Sequence, residues 1–184
     1  MASDVVDLIM QDHREVERLF DQLSNSPEKR PNLVPVLTTL LIAHSRAEET
    51  EVYPVAAAEA GEADDVAHSQ EEHIQAEKLL EQLADADPES SAFDEMLKDL
   101  VDAVTHHVEE EESKVLPGMR DRLSESRLAE LGEAFAATRQ QHLGEQPEDT
   151  TREDLLQQAR NAGISTSGLS KEELKQKLQS EAEG

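Results

Sequence analysis

One short pattern occurs twice in this chain, and it narrows the possible folds more than any other feature. It reads His44-Ser-Arg-Ala-Glu48-Glu and, further on, His107-Val-Glu-Glu-Glu111-Glu; in each copy a proline follows the histidine by ten residues (Pro54, Pro117). Four residues is a little over one helical turn, so each histidine and its glutamate leave one helix on the same face. Two such pairs can converge on a single point.

The stripes on either side of the pattern predict helices. Val6, Ile9, His13, Val16, Phe20 and Leu23 recur at spacings of three and four over residues 3 to about 24, with Ser3 as N-cap. After the turn residues 24–31, Asn32 can cap a second helix that carries Leu37, Leu41, His44, Glu48, Val52 and Val55 and ends near Gly61. A third helix over about 63–84 presents Val66, Ser69, His73, Ala76, Leu80 and Leu83. A fourth presents Phe93, Leu97, Leu100, Val104, His107, Glu111 and Val115. Short connections make consecutive helices antiparallel, so the expected fold is all-α, an up-down-up-down four-helix bundle.

Beyond Pro117, Ser124 or Ser126 can cap a fifth helix with Leu128, Leu131 and Phe135, ending at Gly144. The expected division is a bundle with its additional helix over 1–143, a linker over 144–150, and a two-helix tail over 151–184. The second tail helix starts at the capping box Ser170-Lys-Glu-Glu173.

Composition sets outer limits. Apolar residues make up 36%, enough for a core, but one Tyr and three Phe make that core aliphatic. The net charge of −25 opposes binding to nucleic acid and anionic membranes. The absence of cysteine excludes thiolate chemistry, iron–sulfur clusters and disulfides. No apolar run reaches the roughly 18 residues of a membrane span, and the acidic start is unlike a signal peptide, so a cytoplasmic protein is expected.

Apart from Ser69, the polar members of the four apolar faces are His13, His44, Glu48, His73, His107 and Glu111. Each lies toward the middle of its helix, so a bundle brings all six to one level. The halves repeat: residues 11–23 align with 71–83, His13 precedes His44 by 31 residues, and His73 precedes His107 by 34. Buried imidazoles and carboxylates cost free energy unless paired. One solution is a structural network of His–Glu pairs. The other is a dinuclear metal site, in which four nitrogens and two carboxylates give each ion about three protein donors and leave positions for a bridging oxygen and an exogenous molecule. Iron suits such donors, as do manganese and zinc.

A single His, then His-x3-Glu, then a repeat of both, resembles the hemerythrin-like HHE cation-binding family over about residues 1–120. The resemblance implies a non-haem centre of two iron ions, oxo- or hydroxo-bridged. His13, His44 and Glu48 would be ligands from the first half, His73, His107 and Glu111 from the second, and the two glutamates would bridge. It also implies handling of oxygen, peroxide or nitric oxide, or iron sensing, with peroxide decomposition as one possible activity. Animal oxygen carriers of this type place two histidines one turn apart on the third helix; here only His73 is in place, which counts against reversible oxygen carriage.

Other residues have simpler readings. His68 lies about 140° from His73 around the helix and reads as surface. His106 reads as facing a neighbour or solvent, with a supporting role behind the ligands as the alternative, and His142 has no partner in the sequence. Tyr53 could reach the pocket, but a boundary tyrosine is the simpler reading. Glu109, Glu110 and Glu112 read as a solvated face. Residues 152–179 resemble helix–extended–helix modules of the SAP and Rho N-terminal type, which often bind nucleic acid. This tail holds as many acids as bases within one charge and no aromatic for base stacking, so protein docking or simple stabilisation of the bundle is favoured over DNA binding. His44→Ala is expected to lower metal content and heat resistance together, measured by elemental analysis and thermal unfolding; unchanged metal stoichiometry would remove His44 from the ligand set.

Overall fold

The computed structural model describes residues 3–184. Among these residues seven helices follow one another. α1 is Val5–Asn25. α2 starts as Arg30–Ala47, passes through a π turn at Glu48–Val52 and continues as Tyr53–Glu59. α3 is Ala63–Asp85. α4 starts as Ser91–Glu110, passes through a second π turn at Glu111–Val115 and continues as Leu116–Arg122. α5 is Glu125–His142, α6 is Arg152–Asn161 and α7 is Lys171–Ala182. No helix among the described residues is long and apolar enough to cross a membrane.

α1 to α4 form the expected bundle, each packed on its two ring neighbours. Local chemistry sets most helix ends. Asp4, not Ser3, caps α1: its carboxylate accepts from the Asp7 N–H at 3.0 Å. α2 starts at Arg30 rather than after Asn32, because the 3₁₀ turn Pro27–Lys29 runs directly into it and Pro31 fits a first turn that needs no N–H. Gly61 takes a left-handed φ of 73° to reverse the chain after α2. Ser90 and Ser124 cap α4 and α5, and the Ser170–Glu173 capping box opens α7.

The core falls into two apolar halves. One contains Val5, Ile9, Val52, Tyr53, Val66, Val115, Met119 and Phe135. The other contains Val16, Phe20, Leu37, Leu80, Phe93, Leu100 and Val104. The six inward polar residues lie between them. At the far end, buried Arg30 donates to the Leu23 and Pro88 carbonyls and to Asp94, tying the α1–α2 turn to the α3–α4 turn.

The two π turns are where simple helical periodicity fails. Each starts at the glutamate of His-x3-Glu, whose carbonyl accepts an i→i+5 bond, from the Tyr53 N–H in α2 and the Leu116 N–H in α4. Pro54 and Pro117 follow immediately. A proline ring clashes with the carbonyl four residues back in a regular helix, and the wider turn relieves that clash.

α5 lies across α1 and α2, and the tail packs on α3 and on the π turn of α2. Leu155, Ala159, Leu174, Leu178 and Ala182 close around Ile74 of α3 in a third apolar cluster. α5 reaches α1 at Gly132, where an added Cβ would stand 3.1 Å from the Val5 nitrogen and 3.2 Å from the Ser3 oxygen. Backbone cannot yield there as a side-chain tip can. Gly132→Val is therefore expected to cost about 1–3 kcal/mol of stability, measured by denaturant unfolding; an unchanged midpoint would show that α5 is not seated on α1 as described.

Candidate metal centre

The four histidines meet with their Nε2 atoms inward, around two carboxylates. Glu48 lies between one histidine of each half: its Oε2 is 3.1 Å from His44 Nε2 and 3.3 Å from His73 Nε2. Glu111 lies between the other two, 3.3 Å from His13 Nε2 and 3.9 Å from His107 Nε2. Donor atoms of His13, His44 and Glu48 form one compact triad and those of Glu48, His73 and His107 another, so Glu48 is common to both. The structure thus brings together all six residues singled out in the sequence, at one level of the bundle.

Neither glutamate is satisfied by protein. Both oxygens of Glu48, both oxygens of Glu111 and His13 Nε2 are buried without a hydrogen bond. The imidazoles approach the carboxylates but are not aligned to donate to them. A structural network would close those bonds, since leaving a buried carboxylate oxygen unpaired costs more than a formed hydrogen bond contributes net. An ion about 2.1 Å from each donor sets neighbouring donors about 3.0–3.4 Å apart, and most of the separations here lie in or near that range. The donor set therefore fits cations better than it fits itself.

Outside the inward nitrogens runs a ring of four acids that the sequence reading missed. Asp12 Oδ2 accepts from His44 Nδ1 at 3.1 Å, and Glu72 Oε2 from His107 Nδ1 at 2.9 Å. Glu49 Oε1 accepts from His73 Nδ1 at 3.2 Å, and Glu112 Oε1 from His13 Nδ1 at 2.8 Å. The expectation that Glu112 belongs to a solvated face is therefore wrong. A carboxylate on Nδ1 fixes the tautomer that leaves Nε2 free as a donor to a cation. The ring repeats with the halves: Asp12 and Glu72 each precede the lone histidine, and Glu49 and Glu112 each follow the His-x3-Glu glutamate. That adjacency was the available signal.

Three of these acids are anchored by arginine. Arg139 of α5 donates to Asp12 at 2.6 Å, Arg46 to Glu49 at 2.9 Å, and Arg14 to Glu112. The tail adds to the Glu49 cluster: Gln158 reaches its carboxylate at 3.3 Å, and the Asn161 amide donates to its backbone carbonyl at 2.9 Å. Residues 109 and 112 positions beyond Glu49 thus help to orient His73.

Tyr53 is not a boundary residue. It is fully buried, and its hydroxyl lies 3.0 Å from His73 Nε2. A regular helix would turn a residue five past Glu48 about 140° away; the π turn brings it back over the same face. The equivalent position in the second half is Leu116, so one side of the centre has a phenol where the other has an aliphatic side chain. His68 and His106 are exposed, as expected, and His142 pairs only with Glu145.

Electrostatics follow from this packing. Burial opposes charge on His44, but Glu48 and Asp12 outweigh it and lift the imidazolium to about 10. His73 is lifted to about 9 by Glu48 and Glu49 against the same burial penalty. Burial likewise works against the charged forms of Glu48 and Glu49, yet the imidazoles, with Arg46 beside Glu49, hold both below the ordinary carboxylate value of 4.5. Without metal, the imidazolium contribution to stability is full below 6.5 and is lost as pH rises through about 9–10. The carboxylate contribution is present above 4.5 and is lost on acidification below it.

Comparison with known proteins gives the family and the fold. The family model described as "Hemerythrin HHE cation binding domain" matches residues 4–118. A protein of Nostoc sp. named "DNA nickase" is 33% identical over 147 residues, which is 77% of this chain but 42% of that protein. The chain therefore spans less than half of that relative's length. A crystal structure of a hemerythrin HHE cation-binding domain-containing protein from Mycobacterium kansasii superposes with a TM-score of 0.67 at 23% identity, covering 95% of this chain and 99% of the other.

Metal binding needs neutral imidazoles, so ions held by His44 and His73 would have to displace the protons that these rings hold at pH 7. Loading is expected to release about two protons per chain at pH 7 and fewer above pH 10, read from calorimetric titration in buffers of different ionisation enthalpy. No buffer dependence would contradict the inward placement of these two rings. On its sequence match over 4–118 and on these paired triads, the chain belongs to the hemerythrin HHE cation-binding domain family.

Proposed function

We propose that His13, His44, Glu48, His73, His107 and Glu111 hold two iron ions, and that the loaded centre binds and turns over a small oxidant, with peroxide as the favoured substrate. The observation that carries this reading is the pair of unsatisfied carboxylates, each set between imidazoles from opposite halves. Nitrogen and carboxylate donors in this ratio suit iron, and two imidazoles with one oxygen from each shared glutamate would still leave room at a six-coordinate ion for an exogenous molecule. Iron supplies a redox couple and an open coordination position.

The space beside the imidazoles admits a small molecule. A cavity of about 30 Å³ is lined by His13, His44, His73 and His107 on one side and by Val16, Leu41 and Val104 among its apolar walls. One water occupies about 10–15 Å³ on this scale, so a molecule of two linked oxygen atoms fits. Tyr53 is the one hydroxyl at hydrogen-bonding distance from the inward nitrogens among the described residues. Burial and the surrounding glutamates hold its pKa well above 10, so it stays a neutral phenol able to donate a proton or a hydrogen bond. Peroxide disproportionation balances without another reductant: one peroxide is oxidised to oxygen while a second is reduced to two waters.

One observation favours a second reading, iron sensing. Gln158 and Asn161 of the tail touch Glu49, which orients His73, so loading and tail docking share a residue. DNA association through the tail has less support. Lys175 is paired with Glu81 and Lys177 donates to the Ser165 carbonyl, which leaves little free basic surface on a chain of net charge −25.

Iron-loaded protein is expected to consume hydrogen peroxide with release of one oxygen per two peroxides, and Tyr53→Phe to lower the rate by about 10²–10⁴-fold if the hydroxyl acts as the proton donor. Iron-loaded protein with no peroxide turnover, but with tail protease sensitivity that changes on loading, would instead support the sensing role.

A further inference from the structure

The ring of outer acids has one irregular member. Asp12, Glu49 and Glu112 each meet an arginine, whereas no arginine or lysine approaches Glu72 within ion-pair distance among the described residues. Its Oε2 accepts from His107 Nδ1, but its Oε1 is buried and has no hydrogen bond. The side chain is only 9% exposed, so water does not readily satisfy that atom.

Two imidazoles face the orphan oxygen from the surface side. His68, one turn before Glu72 on α3, has its Nε2 3.5 Å away, and His106 of α4 also stands at 3.5 Å. Glu110, one turn after His106, closes the group with its Oε2 3.2 Å from His68 Nε2, while its other oxygen is held by Lys114 at 2.7 Å. Each helix thus contributes an i, i+4 pair, and four donor atoms lie within 4.8 Å of one another. A tetrahedral ion with donors at about 2.0–2.1 Å sets them about 3.3–3.4 Å apart, close to these separations.

We propose that His68, Glu72, His106 and Glu110 form a third cation site, for a divalent transition ion of the kind that imidazole and carboxylate share, Zn²⁺ being the simplest probe. The ion takes at Glu72 the place that arginine takes at the other three acids. The site needs no ion in the central pair, since its donors point away from that centre and only Glu72 is common to both. Through Glu72 it stands one carboxylate from His107, with both of its histidines exposed to solvent.

The test is equilibrium dialysis of the full chain against Zn²⁺, comparing the wild type with the double variant H68A/H106A. Both histidines are more than half exposed, so their removal leaves the core alone. The wild type is expected to bind one equivalent more than the variant, and ¹⁵N resonances of the His68 and His106 rings to shift as that equivalent fills. This difference holds whatever the central six residues contain, so failure of the central pair leaves it intact. Equal stoichiometry in the two proteins, or ring resonances that do not respond to Zn²⁺, would overturn the site. Glu110→Gln provides a second variant, expected to weaken the same equivalent without affecting the rest.

Discussion

Two buried carboxylates that no protein donor satisfies are the constraint around which this molecule is arranged. Glu48 and Glu111 are fully buried, and four imidazoles surround them without completing their hydrogen bonds. Such groups are tolerated in a low-dielectric core only if positive charge is supplied. In the metal-free chain, protons on the histidines meet part of that need, which is why His44 and His73 hold theirs so firmly. Cations meet it more completely, since one ion can engage several of the oriented donors at once.

Much of the remaining structure serves to aim those donors. Each inward ring is held from behind by an acid, and three of the acids are held in turn by arginines. Those arginines come from different places: Arg14 and Arg46 from the bundle itself and Arg139 from α5. The fifth helix is therefore more than a cover, because it also places Phe135 edge-on to His44 at 5.9 Å. The tail is drawn into the same network through Gln158 and Asn161. A twofold repeat runs through the arrangement and breaks at two points, Tyr53 against Leu116 and Glu72 with its imidazoles in place of an arginine. Those breaks give two nearly equivalent halves different chemistry.

The bundle and its six inward residues were legible because period and polarity coincide. A histidine or glutamate in an apolar stripe shows up in a 3.6-residue pattern, and the short turns leave little freedom in topology. The outer acids were not legible in the same way. Asp12, Glu49, Glu72 and Glu112 sit one residue from a ligand candidate, off the stripe, in a chain where acids are so common that one more carries no signal. Tyr53 was misplaced for a different reason. Its reading assumed a regular helix, and the prolines at 54 and 117 report the turn that breaks the period only once that turn is seen. Helix starts erred where local chemistry had near-equal options, as with Ser3 against Asp4. The docking of the tail depends on Ile74 meeting leucines 80 or more residues on, and no local pattern encodes such a pairing.

The central claim is that the waist of the bundle is a cation site rather than a hydrogen-bonded network, and charge at Glu48 and Glu111 decides it. Replacing both by glutamine keeps shape and removes charge. The measurement is iron retained per chain after loading and gel filtration, for the wild type and for the Glu48→Gln, Glu111→Gln double variant. Two irons held by the wild type and none by the variant is the expected result. A wild type that retains no iron, or a variant that is more stable than the wild type and retains as much, would contradict it.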